Sequence, residues 1–190
     1  MPPIRVKDLN IPEKLILYTV SQVEGGLKTE THLQKLLFLT SKALGIKPER
    51  LGFYPYDYGP FSLMIKEIGE SLVEKGFFSK KGTGVAVDPS IINQIDDAKP
   101  KDELDQFKIK EMGEFISGLT REEVILHTYV RDQEFAKKSK ILDDVLTNRV
   151  PVAIGMVKKG KISSTAGAEL AGVPIINFLE MIRMGAQVVD

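Results

Sequence analysis

Apolar residues recur at helical spacing in several separate windows of the chain, and most windows close on a glycine. From Pro12 to Glu24, Ile16, Val20 and Val23 share a face, with Leu15 and Leu17 alongside, before Gly25-Gly26 ends the run. From Thr29 to Leu44 the stripe is Leu33, Leu36, Leu37, Thr40 and Leu44, with Thr29 or Thr31 as the N-cap and Gly45 as the stop. Between Leu51 and Phe61 the pattern changes. Pro55 and Pro60 push the residues before them into extended geometry and the aromatics favour a strand, so this segment reads as a short strand entering a turn. Ser62 then caps a helix through Lys75 with Ile65, Ile68 and Leu72 as its apolar stripe.

Phe77-Phe78-Ser79, the turn Lys80 to Gly84, and Val85-Ala86-Val87 together predict a β-hairpin. The order helix, helix, strand, helix, hairpin predicts an α+β, mainly α, winged-helix-like domain. Further helices are expected over Ser90 to Asp96, over Asp102 to Gly118, and from the capping-box pattern Thr120-Arg-Glu-Glu123 through Val130. The charged, weakly periodic stretch Glu134 to Asp144 predicts a boundary, giving a first domain over 1–140 and a helix-turn-helix-like module over 141–190. That module contains Val150 to Val157, in which the run before Gly155 looks like a strand, followed by a polar turn, a helix from Ser164 to Ala171, and a closing helix from Pro174 to Met184.

Composition narrows the chemistry. The 190 residues contain no Cys, which excludes disulfides, thiolate metal sites and a cysteine nucleophile, and the two histidines leave any metal site short of nitrogen ligands. With 43% hydrophobic residues and a mean hydropathy of −0.06, the chain has ordinary globular composition. No apolar run approaches the roughly 18 residues of a membrane span, and Met1-Pro2-Pro3-Ile4-Arg5 has no apolar leader, so a cytoplasmic protein without membrane contact is expected. The net charge is zero but uneven. Residues 1–90 carry 12 basic and 10 acidic side chains, residues 91–136 carry 6 and 11, and residues 137–190 carry 8 and 5. Any contact with nucleic-acid phosphates therefore falls to the two ends.

The C-terminal module fits a helix-turn-helix register beginning at Ser164. Ala168 falls where the helices cross, Gly172 at the turn, and Val173, Phe178 and Met181 at core positions. An ordinary helical hairpin meets the same spacing. The closing helix offers only Asn177 and Arg183 to a nucleic acid and is apolar nearly all round, so Ile175, Ile176, Phe178, Leu179 and Ile182 are expected to pack against a protein partner or another part of the chain. Candidate DNA contacts are Arg149, Lys158, Lys159, Lys161, Ser163, Ser164 and Asn177, with Lys80 and Lys81 on the wing. Solvated turns use lysines in the same way, and the helix before the wing is acidic, with Glu67, Glu70 and Glu74 against Lys66 and Lys75.

Gly155 to Lys161 matches seven positions of a P-loop, but Ile162 stands where Ser or Thr must bind Mg²⁺. Asp96-Asp97, Glu122-Glu123 and Asp143-Asp144 are adjacent on helices and do not face each other. His32 and His127 read as structural. No cofactor, metal site or catalytic residue is expected from these patterns, and the chain reads as a non-enzyme.

Two segments resemble known families. Thr31-His-Leu-Gln-Lys-Leu-Leu-Phe38, with the later Tyr58-Gly59-Pro60, resembles the signature of the Panacea (SocA-like) antitoxin domain and its YwgA-like relatives, matched at Leu33, Gln34, Lys35, Leu36, Tyr58, Gly59 and Pro60. The resemblance covers about residues 10–90 and extends toward 140 through Leu119 to Ile125 and Tyr129. Val152 to Ile182 is similar to small UPF-type helix-turn-helix partners of PIN-domain toxins. Each resemblance implies an antitoxin-like binding protein whose partners are a cognate toxin, a second copy of the chain, or a DNA operator. The alternative is an adaptor with no DNA role.

Overall fold

The computed structural model describes residues 4–186; Met1, Pro2 and Pro3, part of the leader expectation, lie outside the described residues. The described chain is mainly helical, with two small antiparallel hairpins: α1 (Ile11–Ser21), α2 (Glu30–Ala43), β1 (Tyr54–Tyr56), β2 (Gly59–Phe61), α3 (Leu63–Glu74), β3 (Phe78–Lys81), β4 (Gly84–Val87), α4 (Glu103–Ile116), α5 (Arg121–Arg131), α6 (Gln133–Ala136), α7 (Leu142–Thr147), α8 (Arg149–Lys158), α9 (Ser164–Ala171) and α10 (Ile175–Ala186). A ten-residue 3₁₀ stretch, Pro89–Ala98, joins β4 to α4 in place of the expected α-helix.

The helix starts are set by short polar side chains that accept an otherwise orphaned backbone N–H. Asn10, Thr29, Ser62, Asp102, Thr120 and Ser163 each cap the helix that follows, and Thr120 does so in a reciprocal box with Glu123. Thr29, rather than Thr31, is the cap of α2. This helix is the centre of the fold. Every residue from His32 to Ser41 is buried, because α1, α3, α4 and α5 and strands β2 and β4 all pack against it. The apolar stripe read from its sequence is one part of a helix covered on all sides.

The segment Leu51 to Phe61 folds as a hairpin rather than a single strand, with Tyr54 opposite Phe61 and Tyr56 opposite Gly59. Pro55 faces Pro60 across it. Hydrogen-bonded and non-bonded pairs alternate along an antiparallel ladder, so two residues without N–H groups can face each other at a non-bonded position. In the second hairpin the turn is only Gly82-Thr83, which places Lys80 and Lys81 in β3 rather than at the tip. The link between α1 and α2 joins this hairpin: Leu27 N–H donates to the Val85 carbonyl at 2.8 Å. Backbone passes so close there that a Cβ on Gly84 would lie 2.0 Å from the Leu27 carbonyl oxygen.

Val150 to Val157 is helical, in α8, and the strand expectation is overturned. Burial falls on Ala153 and Met156, three residues apart, and Pro151 sits in the first turn, where its missing N–H leaves no bond unmade. The stretch Glu134 to Asp144 holds α6 and the start of α7, and buries Phe135 and Ala136. Helix α5 contacts both α8 and α9, and Ala153, Met156, Leu170 and Phe178 join the same apolar cluster as Leu36 and Ile65. Helices α9 and α10 meet at 100° across Gly172, Val173 and Pro174. Among the described residues no single helix is long and apolar enough to cross a membrane; α9 and α10 together have the length and composition, but not the straightness.

Candidate functional site

Of the residues singled out in α2, Gln34 and Lys35 meet the β1–β2 hairpin that carries Tyr58, Gly59 and Pro60, whereas Leu33 lies beside Gly69 of α3 and Leu36 is in the apolar core. From α2, the Gln34 amide donates to the Ser62 carbonyl at 3.0 Å and accepts from Ser62 N–H at 2.9 Å. The next residue, Lys35, is 2% exposed, and its Nζ donates to the Pro60 carbonyl at 2.9 Å. Gly59 has φ +83°, and a Cβ there would lie 2.5 Å from the Tyr129 ring, so both backbone conformation and space require glycine. Tyr129 in turn bonds Ser139 Oγ at 2.5 Å, and Ser139 Oγ donates to the Asp57 carbonyl at 3.1 Å. Lys140 adds an ion pair to Asp57 at 2.6 Å. The hairpin is thereby held by α2 on one side and by the segment after α5 on the other.

Beside this anchor opens a cavity of about 360 Å³, lined among others by Thr31, Lys35, Tyr56, Tyr58, Phe61 and Arg121. The Arg121 guanidinium stands over the Tyr58 ring at 4.9 Å, and its Nε donates to Thr31 Oγ1 at 3.3 Å. Neither Lys35 nor Arg121 forms an ion pair among the described residues. Removal from water, with the Arg121 charge as a second cause, brings the Lys35 ammonium down to about 7. Sequence reasoning placed Lys35 in a motif without a chemical role and read Arg121 only as part of a capping box. The available signal was a lysine flanked by Leu33, Leu36, Leu37 and Phe38 in a helix with an apolar stripe.

The two histidines differ in their partners: His32 is hydrogen-bonded on both ring nitrogens, whereas the buried Nδ1 of His127 has no hydrogen-bond partner among the described residues. His32 Nε2 lies 3.2 Å from the Leu119 carbonyl, which can only accept, so Nδ1 is left to accept from Thr29 Oγ1 at 2.8 Å. Burial lowers its proton affinity. His127 packs on Phe115 with ring centroids 4.5 Å apart, and burial, with Arg131 second, brings it to about 4.

The residues expected to meet DNA are dispersed, and several have partners inside the chain. Lys159 pairs with buried Glu123 at 2.7 Å, Lys161 donates to the Glu114 carbonyl at 2.7 Å, and Lys81 donates to the Gly25 carbonyl. The Arg149 guanidinium occupies the space beside Gly172. Ser163 caps α9 with its hydroxyl, and Ser164 is the first residue of that helix. Lys80, Lys158 and Asn177 are exposed. Among the described residues, neither Lys80 nor Lys158 has a hydrogen-bonded partner or an ion pair.

Among the residues expected at a protein interface, Phe178 is fully buried within the chain, close to Gly167 of α9. Ile182 is half-buried. Ile175, Ile176 and Leu179 are exposed, as is Met184, and Ile176 reaches 69%. Among the described residues no group of three or more His, Asp or Glu side chains is placed to hold a metal ion. Compared with known proteins, the chain matches no family model, and no curated protein or solved structure is significantly similar to it.

Proposed function

We propose that the protein is a binding protein of antitoxin-like or regulatory type, acting without catalysis, that engages a protein partner through α10. The observation that carries this reading is the arrangement of that helix. Phe178 fixes it to α9, while Ile176 and Met184 stand in solvent and Ile175 and Leu179 are partly exposed beside them. An apolar group of this kind on a well-anchored helix suits a helix-to-groove contact with a partner or a second copy of the chain.

Two further features support the finer architecture within this reading. The order α1, Leu27 pairing to β4, α2, α3, β3, β4 supports a winged-helix reading in which β1–β2 is an insertion. The 100° crossing of α9 and α10 falls in the range of helix-turn-helix units. A DNA role has weaker support. The face of α3 that a winged helix would turn to DNA exposes Glu67, Glu70 and Glu74, and Lys81, Lys159 and Lys161 already have partners. This favours an adaptor without DNA contact as the second reading.

The direct test measures affinity of the intact chain for itself by light scattering, and for the product of the adjacent gene by calorimetry. The double variant Ile176→Glu, Leu179→Glu is expected to weaken the contact about thirtyfold or more, corresponding to about 2 kcal/mol, while the melting temperature is kept. Unchanged affinity in the double variant overturns the assignment of α10. In a DNA-binding salt series, two unpaired lysines give a log–log slope of about −2 at most; a slope near −4 would restore the DNA role.

A further inference from the structure

We propose that the cavity beside the β1–β2 hairpin is a binding site for a small ligand bearing a phosphate or carboxylate on a flat apolar group, with Lys35 and Arg121 holding the oxyanion and Tyr56 and Phe61 supporting the apolar part. The site stands apart from α10 and does not depend on what that helix binds.

The argument starts from what Lys35 lacks. An ammonium taken out of water needs a counter-charge or a full set of acceptors, or it is costly by several kcal/mol. Lys35 has one neutral acceptor, the Pro60 carbonyl, so two of its three N–H donors are unassigned among the described residues. Its near neighbour in charge is a second cation, Arg121, which worsens the imbalance. Leucine or methionine would fill the same volume in α2 without this cost.

Both cations border the same cavity. Among the described residues the Arg121 guanidinium makes one hydrogen bond, through Nε to Thr31, and it rests over the Tyr58 ring at 4.9 Å. Its terminal nitrogens make no hydrogen bond among the described residues. A planar fork of this kind matches the oxygens of carboxylate or phosphate. Thr29, Thr31 and Thr83 add hydroxyls to the lining, and Tyr56 and Phe61 pack together with ring centroids 5.2 Å apart to form the apolar wall. The titratable and charged groups around Lys35 are Glu30 on α2, Arg121 on α5, Tyr56 and Tyr58 on the hairpin, and Tyr129 behind Gly59. Glu30 supplies the only carboxylate among the described lining residues, so the cavity has one acid against two bases.

The test is calorimetric titration of the intact chain with phenyl phosphate, benzoate and inorganic phosphate. Saturable 1:1 binding is expected for phenyl phosphate or benzoate, whichever head group the fork prefers, and inorganic phosphate should bind about tenfold more weakly because it lacks the group that rests on Tyr56 and Phe61. Arg121→Gln should weaken the preferred probe about tenfold or more. Between about pH 6 and pH 8.5 the wild-type affinity should fall roughly tenfold as the Lys35 ammonium is lost. Lys35→Met removes binding; because Lys35 also holds Pro60, Thr31→Val serves as the milder variant and should weaken the probe severalfold without touching the hairpin anchor. Absence of saturable binding by both aromatic probes, or binding that Arg121→Gln and pH both leave unchanged, overturns the proposal and leaves Lys35 as a clamp on the hairpin.

Discussion

Helices α2 and α10 look alike on paper and differ in the fold. Both carry regular apolar positions, yet α2 is covered on every side from His32 to Ser41, whereas α10 buries Phe178 and leaves Ile176 and Met184 in water. The difference lies in the neighbours. Four helices and two hairpins close around α2, while α10, among the described residues, rests mainly on α9. Periodicity shows that a helix has an apolar face. It does not show how many partners the rest of the chain can bring to it.

This contrast can be broken by matched truncations. Phe38 lies at the centre of α2, with edge-on contacts to Phe53 at 5.3 Å and Phe135 at 4.8 Å. Phe38→Ala should cost about 3–5 kcal/mol in denaturant unfolding. Ile176→Ser on α10 should stay within about 0.5 kcal/mol of wild type. Equal losses at the two positions would mean that α10 is as much core as α2.

The hairpin anchor gives the next largest effect. Gly59→Ala demands a left-handed backbone from an L side chain and drives a methyl into the Tyr129 ring, so a loss of about 2–4 kcal/mol is expected, read from the urea midpoint. Because Gly59 borders the ligand cavity, the same variant should also blunt phenyl phosphate binding.

Acid and alkali act differently on His127 of α5 and Lys35 of α2. His127 is held near 4 in the folded chain against an ordinary 6.5, so the unfolded chain takes up a proton first and stability falls as pH drops from about 6.5 to 4. That limb should amount to about 2–3 kcal/mol and vanish in His127→Phe. For Lys35 the folded value of about 7 lies below the ordinary 10.5, so the unfolded chain binds more protons between those values and stability rises with pH from about 7 upward. Lys35→Met should flatten this rise. The probe anion, present at pH 6 to 7, should offset the low-pH penalty in the wild type alone.

A smaller effect tests the tie between α5 and the C-terminal helices. Glu123→Gln removes the ion pair with Lys159 and part of the box at Thr120, with an expected loss of about 1–3 kcal/mol. Lys159→Gln should cost at least as much, because it leaves the buried Glu123 carboxylate without its counter-charge.

Local signals were the most legible in the sequence. The caps at Ser62 and Thr120, and the glycine stop at Gly172, act through atoms within a few residues, so residue order alone predicts them, and it narrows the cap of α2 to Thr29 or Thr31. Where distant chain segments decide, sequence reading failed. Val150 to Val157 has strand-like residue types, but α5 and α9 pack against it, burying Ala153 and Met156, and favour a helix. Lys159 and Lys161 look like free charge in sequence; their partners Glu123 and Glu114 lie 36 and 47 positions earlier. The cavity was illegible for the same reason, since Lys35 and Arg121 meet only after α2 and α5 pack together.

Hydrogen exchange on the monomeric chain at low concentration tests the contrast between α2 and α10 most directly. Amides from His32 to Ser41 should exchange only through global unfolding, while those of α10 should exchange at least about a hundredfold faster and slow down when a partner or a second copy covers Ile176 and Leu179. Protection of α10 equal to that of α2 in the isolated monomer would contradict the assignment of α10 as an open docking face.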